Sequence, residues 1–112
     1  MKDFPDFIKR EENRVGKAQQ NTDDIEGYYY TANDGSQAAL WTHYSDRTSK
    51  GHCHDFDEYM VCLSGQYIVI MNGAETVLGP GDEILIPKGT LQSGRAIAGT
   101  RCIHLFGGTR IK

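Results

Sequence analysis

Short apolar runs alternate with polar punctuation along this chain, and no long stretch holds the 3.6-residue spacing of an amphipathic helix. The first clear run, Gly27-Tyr28-Tyr29-Tyr30-Thr31, is aromatic and β-branched, which suits a pleated, half-buried surface. Asn33-Asp34-Gly35 then reads as a turn, because Asp-Gly supplies the positive φ that a tight hairpin needs. Residues 37–44 read as the returning strand and 45–51 as a polar loop. The clearest hairpin lies further on. Gln66-Tyr67-Ile68-Val69-Ile70-Met71 is nearly continuous apolar, Asn72-Gly73 follows, and Ala74-Glu75-Thr76-Val77-Leu78 runs back. Asn-Gly between two such runs is the strongest short-range signal of a type I′ turn. Gly79-Pro80-Gly81-Asp82 turns the chain into Glu83-Ile84-Leu85-Ile86, a strand stopped by Pro87, which has no N–H for a ladder. Lys88-Gly89 turns it again, and a last strand covers residues 100–106. Short strands with turn signals about every 8–12 residues predict an all-β sandwich or barrel. Ahead of them, Phe4, Phe7 and Ile8 either form one helical turn or tuck against the barrel. The expected organisation is an N-terminal extension, residues 1–25, packing on a barrel formed by residues 26–112.

Composition narrows this further. At 112 residues the chain is one domain's worth, and 13 glycines suit a barrel with many turns. A net charge of -3 with no basic stripe argues against a nucleic-acid partner. No apolar run approaches the ~20 residues of a membrane span, and the first residues lack the apolar core of a signal peptide. The expected location is cytoplasmic. Cys53, Cys62 and Cys102 are odd in number, far apart and form no CxxC pair, so they read as free thiols and not as a zinc finger.

Candidate chemistry begins at His52-Cys53-His54. Side chains alternate along a strand, so the two histidines share a face and Cys53 takes the other. Two imidazoles on one face are natural metal ligands. Glu58 has the same parity, but four residues of straight strand would carry it about 13 Å away. It reaches the same ion only if the chain folds back, and Asp55-Phe56-Asp57 offers that bend. With His54 ending one strand and Glu58 opening the next, Met60 and Cys62 continue the inner face, while Tyr59, Val61 and Leu63 look outward. Two imidazoles and a carboxylate form the facial triad of non-haem Fe(II) sites, and suit Zn(II), Mn(II) or Ni(II) as well. An isolated His-x-His in a strand is as often a surface accident, so the wider pattern matters.

That pattern is His52-x-His54-x3-Glu58-x6-Gly65, followed by Gly81-x5-Pro87-x-Gly89-x2-Gln92. The two segments match the first and second cupin motifs, the second up to its ligand, and over residues 27–106 the chain resembles the small single-domain cupins. The resemblance implies a double-stranded β-helix, or jelly-roll, barrel with one divalent metal ion near one mouth. Of the implied ligands, His52, His54 and Glu58 match. Two positions depart: Asp46 stands where a glycine is expected, and Gln92 replaces the histidine of the second motif. Gln92 either coordinates through its amide oxygen or hydrogen-bonds a water in that position; a third possibility is a site that has lost its metal. On the last strand Cys102, His104 and Phe106 share a face. If that face is the inner one, His104 is a candidate general acid or base beside Glu58; otherwise it is a core histidine bonded to backbone. The tail His104-x-Phe106-x3-Arg110 is similar to the Asp-x-Phe-x3-Arg ending of small cupins that tautomerise unsaturated uronates, with histidine in place of aspartate.

Trp41, Met60, Phe106 and Arg110 are the candidate substrate contacts, and Arg95, Arg101 and Arg110 the candidates for gripping a carboxylate. The resemblance implies a metal-dependent enzyme, isomerase/lyase or dioxygenase, acting on a sugar acid or organic acid; the alternative is a non-catalytic binding or sensor barrel. The row Tyr28-Tyr29-Tyr30 must place at least one aromatic outside, which predicts a homodimer.

Overall fold

The structure is a computed structural model, and it describes residues 3–16 and 24–111. Its strands are β1 (Ile25–Thr31), β2 (Gln37–His43), β3 (Arg47–Thr48), β4 (Glu58–Ser64), β5 (Tyr67–Met71), β6 (Ala74–Leu78), β7 (Glu83–Ile86), β8 (Gln92–Ala96) and β9 (Arg101–Phe106). They form two sheets, β1-β2-β9-β4-β7 and β3-β8-β5-β6, with antiparallel pairing throughout. This is an all-β barrel, as the strand pattern predicts, and of the jelly-roll type that the resemblance implies. The β5–β6 hairpin has the expected turn, with φ of 50° at Asn72 and 88° at Gly73.

Two strands were not foreseen. β3 lies in what reads as a polar loop, and β8 follows the Lys88-Gly89 turn. Neither carries an apolar alternation: β8 is Gln-Ser-Gly-Arg-Ala. Its order comes from its neighbours, because β5 pairs with it along its whole length and β3 closes its other edge. Gly94 is required there. A Cβ at residue 94 would lie 2.0 Å from Tyr67 Oη, so only glycine lets the Tyr67 ring lie across β8 inside the barrel.

The interior divides into two clusters. One holds Met60, Cys62, Val69, Leu78, Ile86 and Cys102. The other holds Val15, Ile25, Ala39, Trp41, Phe106 and Ile111. Each large apolar side chain buried there contributes about 1.5–3 kcal/mol, so the barrel has a core that does not depend on an ion. Cys62 and Cys102 sit within it, and all three cysteines are free.

At the N-terminus both expected behaviours occur, in different residues. Asp6–Ile8 forms a 3-10 turn that leaves Phe7 exposed, while Phe4 tucks in under the Arg101 guanidinium, 5.1 Å from its ring centroid. Arg14 then bridges to Tyr28, and the Val15 N–H donates to the Gly27 carbonyl at 2.8 Å. The extension thus covers Tyr28 on the outer face of β1 and leaves Tyr30 exposed. Its residues 17–23 lie outside the described residues. Among the described residues no helix is long and apolar enough to cross a membrane.

Candidate metal centre

His52 and Gln92 are brought side by side by backbone pairing. Each donates its N–H to the other's carbonyl at 2.8 Å, the double exchange that sets two side chains adjacent on one face. Residue 92 therefore stands directly beside His52. Beyond His52 the chain leaves the ladder, so His52 to His54 is not the continuous strand expected. The alternation survives even so, with Cys53 exposed between its neighbours. The bend at Asp55-Phe56-Asp57 is pinned at three points. The Gly89 N–H donates to the His54 carbonyl at 2.9 Å, the Lys88 N–H to Asp57 Oδ1 at 2.8 Å, and the Gly107 N–H to the Asp57 carbonyl at 2.8 Å. The chain thereby folds back, and Glu58 opens β4 with its Oε1 3.4 Å from His54 Nε2. Asp46, in the place of the motif glycine, accepts the Ala98 N–H on Oδ1 at 2.9 Å.

These atoms fit a metal ion in a specific way. His54 Nε2 and Glu58 Oε1 are both buried, and neither has a hydrogen-bond partner among the described residues. Two donors on one ion, each about 2.1 Å from it at a near-tetrahedral angle, stand about 3.4 Å apart. The His52 Nδ1–H donates to the Lys50 carbonyl at 2.9 Å, which leaves Nε2 as the lone-pair atom, and the ring lies 4.8 Å from that of His54. His54 is itself stacked on Phe56 at 4.9 Å. Among the described residues no three His, Cys, Asp or Glu side chains already surround one point. The preformed part is the His54–Glu58 pair, with His52 and Gln92 beside it.

His104 faces inward. Its Nδ1–H donates to Glu58 Oε2 at 2.7 Å, so its partner is this carboxylate and not the backbone. Glu58 is 3 % exposed. Burial alone would raise its carboxyl; the hydrogen bond from His104, with the adjacent His54 imidazole, outweighs burial and holds it well below the usual carboxylate range.

The four side chains border a cavity of about 90 Å³, room for an ion with a few waters or a small ligand. Trp41, Phe106 and Arg110 line it, and the Arg110 guanidinium lies over the Phe106 ring at 5.7 Å. Burial pulls this guanidinium down from its ordinary value, against the opposing influence of Glu58. Met60, the fourth expected contact, is instead a core residue in the cluster with Ile86: inward parity put it inside, but one pair further down the strand than the cavity reaches. Arg95 pairs with Glu75 at 2.8 Å and Arg101 covers Phe4, so neither reaches the cavity. Arg47, Tyr67 and His43 also line it. Arg47 was hidden because the alternation of Arg47 and Ser49 on β3 and just beyond it has no apolar marker.

The family model of the cupin domain matches residues 41–103. No curated protein matches the chain. Among solved structures, KdgF from Halomonas sp. is 21 % identical with a TM-score of 0.72, over 80 % of this chain and 83 % of that one. An RmlC-like cupin from Shewanella frigidimarina is 16 % identical with a TM-score of 0.73, over 96 % of this chain and 90 % of that one. Oxalate decarboxylase from Bacillus subtilis, described with Mn(II) centres, is 15 % identical with a TM-score of 0.67, over 80 % of this chain but 26 % of its own. At these identities the structures speak to the fold alone, and the match to the family model carries the assignment: this chain belongs to the cupin family.

Proposed function

We propose that this cupin holds one divalent transition metal, Fe, Zn, Ni or Mn, on His52, His54 and Glu58, with Gln92 as a weaker fourth donor. It uses the site on a small anionic substrate, a sugar acid or related organic acid, in isomerase/lyase or dioxygenase chemistry. The observation that carries this reading is a pair of buried donor atoms without a hydrogen bond, His54 Nε2 and Glu58 Oε1, in contact only with each other at 3.4 Å at the edge of the cavity. The Mn(II) centres of the structurally similar oxalate decarboxylase agree with it.

An ion bound there would act as a Lewis acid on a substrate carbonyl or enediol oxygen. The chain's own residues do the rest. Arg110 receives the substrate carboxylate, and Phe106 beneath it limits its motion. Trp41 and Phe106 form apolar wall that displaces water. The Glu58–His104 hydrogen bond is where a proton would be held or passed on. The test is turnover of metal-reconstituted protein on a panel of uronates, keto acids and hydroxy acids. Conversion that depends on the ion and is lost in Arg110→Gln supports the reading. Tight binding without conversion points to a sensor barrel instead.

A homodimer is proposed as well. Tyr30, Ala38, Leu105, Tyr59 and Leu85 are successive register partners across all five strands of the larger sheet, and Tyr30, Leu105 and Leu85 are exposed. A continuous apolar row on an outer face suits a second copy related by a two-fold axis. Light scattering should give twice the 12.5 kDa chain mass; the single-chain mass at tens of micromolar contradicts the pairing.

A further inference from the structure

We infer that His104 is a positioning residue for the metal centre: its Nδ1–H holds one oxygen of Glu58, so that the carboxylate meets the ion through the other oxygen only. The inference rests on the metal reading above.

The placement follows from the sheet. In the β4–β9 ladder Glu58 opposes Phe106 and Met60 opposes His104, which makes Glu58 and His104 diagonal neighbours on the inner face. Their side chains span that diagonal in a 2.7 Å charge-assisted hydrogen bond. The imidazole has little freedom to leave it. It stacks on Phe106 at 6.0 Å with 28° between planes, and meets Tyr67 edge-on at 6.0 Å.

The two oxygens of Glu58 are consequently unequal. Oε2 is occupied by His104, while Oε1 is buried, unpartnered and turned toward His54. Glu58 is the one anionic side chain in the set, since Gln92 is neutral. A carboxylate free to rotate would chelate the ion with both oxygens and fill a position that a substrate needs. His104 prevents this. Aspartate at 104 would set a second carboxylate against Glu58 in a buried place, whereas an imidazole N–H stabilises the ionised form.

Metal ligands lose about 10- to 100-fold in affinity when a supporting hydrogen bond of this kind is removed. Co(II) affinity is to be measured by competition with a chromophoric chelator, together with the visible absorption of the Co(II) protein. His104→Phe keeps the ring stacking and lacks the donor; His104→Leu is a second donor-less variant should Phe not fold. His104→Asn restores an N–H where Nδ1–H stood. Phe or Leu should weaken Co(II) about 10- to 100-fold and alter the absorption bands, while Asn stays within about 3-fold of the parent with unchanged bands. Parent-like affinity and bands in the donor-less variants overturn the inference. Loss in Asn equal to that in Phe overturns it too, by showing the ring itself to be a ligand. Failure of the parent to bind Co(II) refutes the underlying metal reading, and with it this role.

Discussion

Acidification from pH 7 to pH 5 should cost the fold about 2 kcal/mol through His43 alone. His43 is 5 % exposed, and its Nδ1 has no hydrogen-bond partner among the described residues. Burial, reinforced by His104 and Arg47 and only partly offset by Asp24, pulls its imidazole from 6.5 to about 4. Between those values the unfolded chain binds a proton that the folded chain refuses. Stability is therefore complete above about pH 6.5 and declines as pH falls, until the folded ring itself titrates near 4. The full difference approaches about 3 kcal/mol; the part lying between pH 7 and 5 is about 2 kcal/mol, or about 8 °C of Tm for a domain of this size. Urea unfolding at both pH values, in chelator, compares the parent with His43→Gln. Every other group is common to the two proteins. The parent should lose about 2 kcal/mol more than the variant over this interval. Equal losses, within the ~0.5 kcal/mol error of extrapolation, would refute the account of His43 as a neutral, uncompensated ring.

Gly94→Ala should destabilise the protein by about 1–3 kcal/mol, lowering Tm by roughly 4–12 °C, because the new Cβ meets the Tyr67 phenol; an unchanged melting curve contradicts that packing. Gln92→His should tighten metal binding and Gln92→Ala weaken it modestly, with His54→Ala far more damaging, as read by chelator competition. Unchanged affinity in Gln92→His would place residue 92 away from the ion. Alkylation of the native protein should modify Cys53 alone. Cys62 and Cys102 are buried, and desolvation raises both thiols. Mass spectrometry showing three labels without denaturant would contradict their burial.

Six of the strands, from β1 and β2 to the β5–β7 run and β9, were legible because turn residues such as Asn72-Gly73 and Gly79-Pro80-Gly81-Asp82 bound apolar or β-branched segments. β3 and β8 were not, since Arg47-Thr48 and Gln-Ser-Gly-Arg-Ala acquire their conformation from β5 and from each other. β4 was legible through parity from Glu58, with Met60 and Cys62 inside. The site shows the same division. The spacing of His52, His54 and Glu58 names candidate ligands, and parity puts His104 on one face with Cys102 and Phe106 without saying which face is inside. That His104 grips Glu58, and that Met60 falls below the cavity, depends on the β4–β9 register, which no local pattern encodes. Arg47 entered the cavity wall by the same route, through its pairing with Ala96.

The most direct test of the central claim is metal content. Protein purified without a histidine tag, reconstituted and dialysed, should retain close to one Fe, Zn, Ni or Mn per chain. His54→Ala and Glu58→Ala should lose it while keeping the parent's circular dichroism, because the apolar clusters around Met60 and Trp41 hold the barrel without an ion. A metal content near zero after soaking in all four ions, or full retention by both variants, would contradict the assignment of these residues to a metal centre.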